Sequence, residues 1–187
     1  MGQITQAAMQ AADIIVSTAT GAASAVIRAG SFSRFSHAAL YIGGGEVVEA
    51  IAEGVVKRSL TDKLLHDTLA VVYRRKNLSS AQAGLVVQFA KRQVGKPYDF
   101  AGVAGASAHT TGGFIARFLV IPVGVVQDVG ALSNMISPDS KFFCSELVLR
   151  AFQEADAPVT SGSPQMSAPG DIPLSHLVEY VGELKGV

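Results

Sequence analysis

Between residues 37 and 51 the chain reads HAALYI, then Gly43, Gly44 and Gly45, then EVVEAI. Two apolar, β-branched runs flanking three residues free to adopt positive φ predict a tight antiparallel hairpin. Its register constrains everything nearby. With all three glycines in the loop, His37 stands opposite Ile51, and Glu49 is its diagonal neighbour on the same face; a two-residue loop would turn Glu49 to the other face. Strand-like runs at 13–17 (DIIVS), 54–58 and 69–74 (LAVVYR) extend the hairpin into a meandering antiparallel sheet.

Helical signals are fewer. Ser79 with Gln82 three residues on makes a capping box, Leu85, Val86 and Phe89 form the stripe behind it, and Gly95 and Pro97 end the helix. After SPDS, Cys144 heads a second stripe of Leu147, Val148, Ala151, Phe152 and Ala155, with Glu146 and Arg150 expected to pair on the solvent face. Ala-rich residues 3–10 and residues 22–28 are expected to be short helices. A Pro/Ser/Gly-rich stretch at 158–173 separates the last long helix from a short C-terminal segment. With 187 residues, 49% hydrophobic, the chain suits one core and one domain over 1–187, with 101–138 an apolar insertion or lid.

Charge excludes some partners. Fifteen Lys and Arg balance fifteen Asp and Glu, so no net field draws the molecule to nucleic acid. The first twenty residues hold no Lys or Arg and no unbroken apolar run, unlike a Sec signal peptide, and Gln6 stands where an acylation signature has Ser or Thr. Residues 113–132 (GFIARFLVIPVGVVQDVGAL) are apolar but broken by Arg117, Pro122 and Asp128, which predicts a core helix or lid rather than a clear transmembrane helix, with peripheral membrane contact as the alternative. The sequence leaves the compartment open: the chain is read as cytoplasmic as made, with a non-Sec route to a target cell envelope as an extension.

The single cysteine, Cys144, excludes an internal disulfide and leaves a packed apolar residue, a reactive thiol or an intermolecular bridge. A helix N-terminus stabilises a thiolate, so its position is compatible with a nucleophile. His37, at the start of its strand, is the best placed base, although a polar strand end reads the same way. Glu49 sits in an apolar strand where a buried carboxylate needs a partner, and His37 would be that partner in the three-glycine register. His66, His109 and His176 are scattered, giving no metal-ligand spacing, and there is no phosphate loop. Neither a metal nor another cofactor is expected.

The order FSHAALYIGGGEVVEA, GVVKRSL, VGKPYDF and FFCSELVLRAF, with a late APGDIP, resembles the circularly permuted branch of the NlpC-type papain-like cysteine peptidases, in which the histidine precedes the cysteine. The resemblance implies an α+β, permuted papain-like fold, a central antiparallel sheet or half-barrel with the cysteine helix packed on it. It implies Cys144 as nucleophile, His37 as base and Glu49 as the group orienting the ring. It also makes Tyr98 and Asp99 candidate cleft residues. Tyr41 shares strand parity with His37 and is a further substrate-binding candidate, against the alternative of a cross-strand aromatic contact. The backbone amide of Cys144 is the expected oxyanion donor.

The implied chemistry is acyl transfer through a thiolate: a cysteine hydrolase cleaving an amide bond, with bacterial cell-wall peptides as a candidate substrate for a delivered antibacterial effector. A lipid-directed acyltransferase, thioesterase or phospholipase of the same fold is the alternative, and an inactive binding module a third. Expected partners are accordingly a peptide, peptidoglycan-derived or acyl-lipid substrate, with an immunity or delivery protein for an effector.

Overall fold

The computed structural model describes residues 2–19, 33–99 and 142–184. In chain order the elements are β1 (Gln3–Ile4), β2 (Ile14–Ala19), β3 (His37–Gly43), β4 (Glu46–Ile51), β5 (Gly54–Ser59), α1 (Leu60–Leu64), β6 (Asp67–Arg75), α2 (Ser80–Gln93), α3 (Cys144–Gln153) and β7 (Val178–Leu184), with short 3₁₀ turns between. The fold is α+β. Seven strands form one sheet in the order β1-β7-β6-β2-β3-β4-β5.

The meander holds for β2 through β5, each antiparallel to the next. It then breaks. After β5 the chain turns through α1 and returns as β6 to the far side of β2 rather than to the β5 edge. The expected short C-terminal segment is β7, which lies between β6 and the two-residue β1, antiparallel to one and parallel to the other. Residues 3–10 are not a helix: Gln3 and Ile4 pair with β7 and only Gln6–Ala8 form a 3₁₀ turn. So short a segment cannot offset helix nucleation alone, whereas pairing satisfies its backbone and half-buries Ile4. The regions expected as a helix at 22–28 and as a lid at 101–138 lie outside the described residues.

Alternation along the strands sorts side chains onto two faces. On one face Ala38, Leu40, Ile42, Val48 and Ala50 join Val86 and Phe89 of α2 and Leu147, Val148 and Phe152 of α3 in the larger core. On the other, Ile15, Ala39, Tyr41, Val47, Ala70 and Val72 pack with Leu60 and Leu64 of α1. Helix α2 starts as expected, Ser79 accepting from the Gln82 amide within a complete capping box. Val86 and Phe89 are buried as expected and are joined by Ala90 and Gln93, but Leu85 is 49% exposed. In α3 eight of ten residues are buried, including Glu146, so the Glu146–Arg150 contact at 3.8 Å is covered and not on a solvent face. Among the described residues no helix is long and apolar enough to cross a membrane.

Candidate active site

The hairpin turn decides where Glu49 points. Gly44 and Gly45 form a two-residue turn closed by Gly43 opposite Glu46, with φ of +63° and +80° that side-chain-bearing residues rarely adopt. A two-residue loop alone would turn Glu49 away from His37. A bulge between Tyr41 and Gly43 restores the parity, so that Ala39 faces Glu49 and Tyr41 faces Val47. His37 and Glu49 therefore share the α1 face, and His37 Nε2 lies 2.5 Å from Glu49 Oε2.

Cys144 approaches from the other side of the sheet. It is the first residue of α3, after Phe143, whose backbone is extended and whose side chain supplies no cap. The segment before it is pinned: Phe142 N–H donates to the Pro97 carbonyl, Asp99 N–H donates to the Phe142 carbonyl, and Phe142 and Tyr98 bridge as parallel strands. Since His37 opens β3, its ring sits at a strand end that the helix start can reach, and it hydrogen-bonds the Cys144 thiol. Nε2 is engaged by Glu49, so Nδ1 is the nitrogen left for the sulfur. The backbone N–H groups of Ala38 and Ser145 also point at the sulfur.

Burial and pairing oppose each other throughout. Burial disfavours a charged ring at His37, but bonding to Cys144 and the bond and charge of Glu49 outweigh it and raise its pKa to about 9. Burial pushes the Glu49 carboxyl up, yet His37, Lys63 and Arg58 bring it down to about 2. Burial likewise pushes the Cys144 thiol up, while the bond and charge of His37 and the two backbone amides bring it below its ordinary value. These shifts act in the same sense, toward a thiolate beside an imidazolium, with an ionised carboxylate behind the ring.

The family model described as permuted papain-like amidase enzyme, YaeF/YiiX, C92 family matches residues 8–106, more than half of the chain, a stretch that holds His37 and Glu49 and ends before Cys144. The chain belongs to the permuted papain-like amidase family. A relative within it, the probable lipoprotein peptidase YaeF of Escherichia coli strain K12, is 28% identical over 98% of this chain and 73% of its own length. The crystal structure of yiiX from Escherichia coli O157:H7, described there as a metalloprotein, superposes with a TM-score of 0.65 at 20% identity, over 93% of this chain and 97% of that one. That likeness shows the permuted papain-like fold.

The remaining expected site residues divide. Tyr98 is close enough to Cys144 for their charges to interact, and burial first, then Cys144 and Asp99, pushes its phenol up, keeping it protonated. Asp99 follows it on the bridge to Phe142. Tyr41 is not brought to the pair: it is packed in the α1-side core at the opposite end of the hairpin, where its hydroxyl accepts from Gly45 N–H at 3.0 Å. His66 and His176 are exposed and His109 lies outside the described residues. Among the described residues no three His, Cys, Asp or Glu side chains are grouped to hold a metal ion.

Four polar residues of this face were not anticipated. Arg58 donates from Nε to Glu49 Oε1. Lys63, 1% exposed, reaches Asp67 Oδ2 at 2.5 Å and Ser17 Oγ at 3.1 Å, and Ser17 lies directly opposite His37. The signal for Arg58 was present, since residues 49 and 58 share a face once the β4–β5 turn at 52–53 is placed. Lys63 gave none, because a five-residue helix is too short to show a periodicity.

Proposed function

We propose that this family member is a thiol hydrolase that cleaves an amide bond through an acyl-enzyme on Cys144, with His37 as base and acid and Glu49 holding the ring. The observation that carries the reading is the placement of one imidazole between a buried carboxylate at 2.5 Å and a thiol at a helix start.

The Cys144 thiolate attacks the carbonyl carbon, a C–S bond forms, and the carbonyl electron pair moves to oxygen. The uncapped first turn of α3 offers the Cys144 amide to that oxyanion. The His37 imidazolium gives its proton to the departing nitrogen as the C–N bond breaks, leaving a thioester. Neutral His37 then takes a proton from water, which attacks the thioester, and the thiolate leaves as the imidazolium is restored. Glu49 keeps the ring in plane and balances its charge in both half-reactions, a role that needs an ionised carboxylate. Tyr98, a protonated phenol near the sulfur, is a candidate to line the cleft.

Cell-wall peptides are the substrate class we favour. The test incubates wild type and Cys144→Ala separately with purified peptidoglycan, a mixed peptide library and phospholipid vesicles, and reads products by mass spectrometry. New amines that depend on Cys144 in either of the first two support the reading. Fatty acid release or transfer from vesicles alone overturns it in favour of a lipid enzyme, the alternative that apolar residues 113–132 keep in the experiment. Identical products from both proteins in all arms remove the nucleophile.

A further inference from the structure

The site does not end at Glu49. The carboxylate is buried in β4, and its two oxygens are divided between two donors, Oε2 to His37 Nε2 and Oε1 to Arg58 Nε. Strand register brings these groups to one face. Glu49 faces Val56 and Val47 faces Arg58, so Arg58 is the diagonal neighbour of Glu49 on the α1 face, as Glu49 is of His37 one strand over. Arg58, Glu49, His37 and Cys144 form an unbroken line of polar contacts across three strands to the start of α3.

We propose that Arg58 is a positioning residue of this site, holding one oxygen of Glu49 so that the other stays in the plane of the His37 ring. The inference rests on the reading of Cys144 and His37 as the reacting pair. Lys63 does not do this work. Its ammonium is fully buried and bonded to Asp67 and Ser17, so it adds positive charge near Glu49 without holding either oxygen. Arg58, by contrast, commits Nε to the carboxylate while its side chain is 25% exposed. Without that donor the Oε1 atom is left buried in an apolar strand opposite Val56, and the carboxylate turns to find another partner, taking the ring with it.

The charged and titratable groups that face this line are His37 from β3, Glu49 from β4, Arg58 from β5, Lys63 from α1, Asp67 from β6, and Cys144 with Tyr98 beside it. Removing Arg58 deletes a cation from this set and frees Glu49. Both changes raise the pH at which the thiol ionises.

The test measures alkylation of Cys144 by iodoacetamide from pH 4 to 9 in folded wild type, Arg58→Met, Arg58→Lys, Arg58→Ala and His37→Ala, each checked by circular dichroism. Arg58→Met is expected to react roughly tenfold more slowly at pH 6, with its acid limb displaced upward. Arg58→Lys should recover part of the rate, and millimolar guanidinium should restore that of Arg58→Ala, a rescue that a merely structural role would not give. Should Arg58→Met fail to fold, the guanidinium response of Arg58→Ala and the Arg58→Lys profile decide between the same outcomes. If His37→Ala is slow while the Arg58 variants react as wild type at every pH, the role of Arg58 is overturned and the pair stands. If His37→Ala itself reacts as wild type, the reading of the pair fails.

Discussion

Replacing Glu49 by Gln keeps the shape of the side chain and removes its charge, and the consequence can be worked out before the reaction is known. Glu49 is fully buried, and its pKa falls from an ordinary 4.5 to about 2. A depressed carboxylate contributes stability that is present above the unfolded value and is lost as pH falls through the folded one. Between pH 6 and pH 3 the unfolded chain takes up a proton at this position and the folded chain does not. That difference corresponds to about 2 kcal/mol of lost stability in the wild type, approaching about 3 kcal/mol at still lower pH. Glu49→Gln has no such proton to take up. Urea unfolding at pH 6, 5, 4 and 3 should therefore show the wild type losing about 2 kcal/mol more than Glu49→Gln over that range, even though the variant is less stable at pH 6 because His37, Arg58 and Lys63 have lost their anion. The comparison cancels the other carboxylates, which titrate in both proteins. Parallel lines for the two proteins would mean that Glu49 is not held ionised by its neighbours, and the reading of the site as a balanced charge line would be wrong.

In the wild type, alkylation of Cys144 should set in at lower pH than for an ordinary thiol, since the His37 imidazolium persists up to about 9 and favours the thiolate beside it. His37→Ala should label slowly below pH 8 and accelerate only above the ordinary thiol range of about 8.5. Gly54→Ala places a methyl 2.6 Å from the Lys96 carbonyl at φ +117°, and is expected to cost at least about 2 kcal/mol in chemical unfolding. It should also slow Cys144 labelling, because Val55 N–H and the Val55 carbonyl hold the Gly95–Lys96 turn from which Tyr98 follows. Ser79→Ala removes the cap of α2 and should lower stability by about 1 kcal/mol while leaving the labelling profile unchanged.

The parts of this fold that could be read from sequence are those set by local chemistry. The glycine hairpin, the Ser79 capping box and the apolar stripe from Leu147 to Phe152 each declare themselves within about a dozen residues. The His37–Glu49 pairing was legible only conditionally, since a bulge achieves with two turn residues what the register argument assigned to three. Non-local choices were not legible. Nothing within 178–184 says that it will lie between β6 and β1, because that placement depends on two strand edges more than a hundred residues upstream. Glu146 reads as a solvent-facing charge by periodicity, and is covered because the sequence around α3 does not disclose what packs over it.

The sheet separates the two halves of the site. The sulfur arrives with α3 on one face, while Glu49, Arg58 and Asp67 sit on the other with Lys63 of α1, joined through a single ring at a strand end. On the proposed reading, what is attacked and how strongly the attacking pair is charged are thus settled on opposite faces of one sheet. Substitutions on the α1 side can retune the working pH without remodelling the surface that meets substrate, and the loops around α3 can diversify without disturbing the ionisation that makes Cys144 reactive.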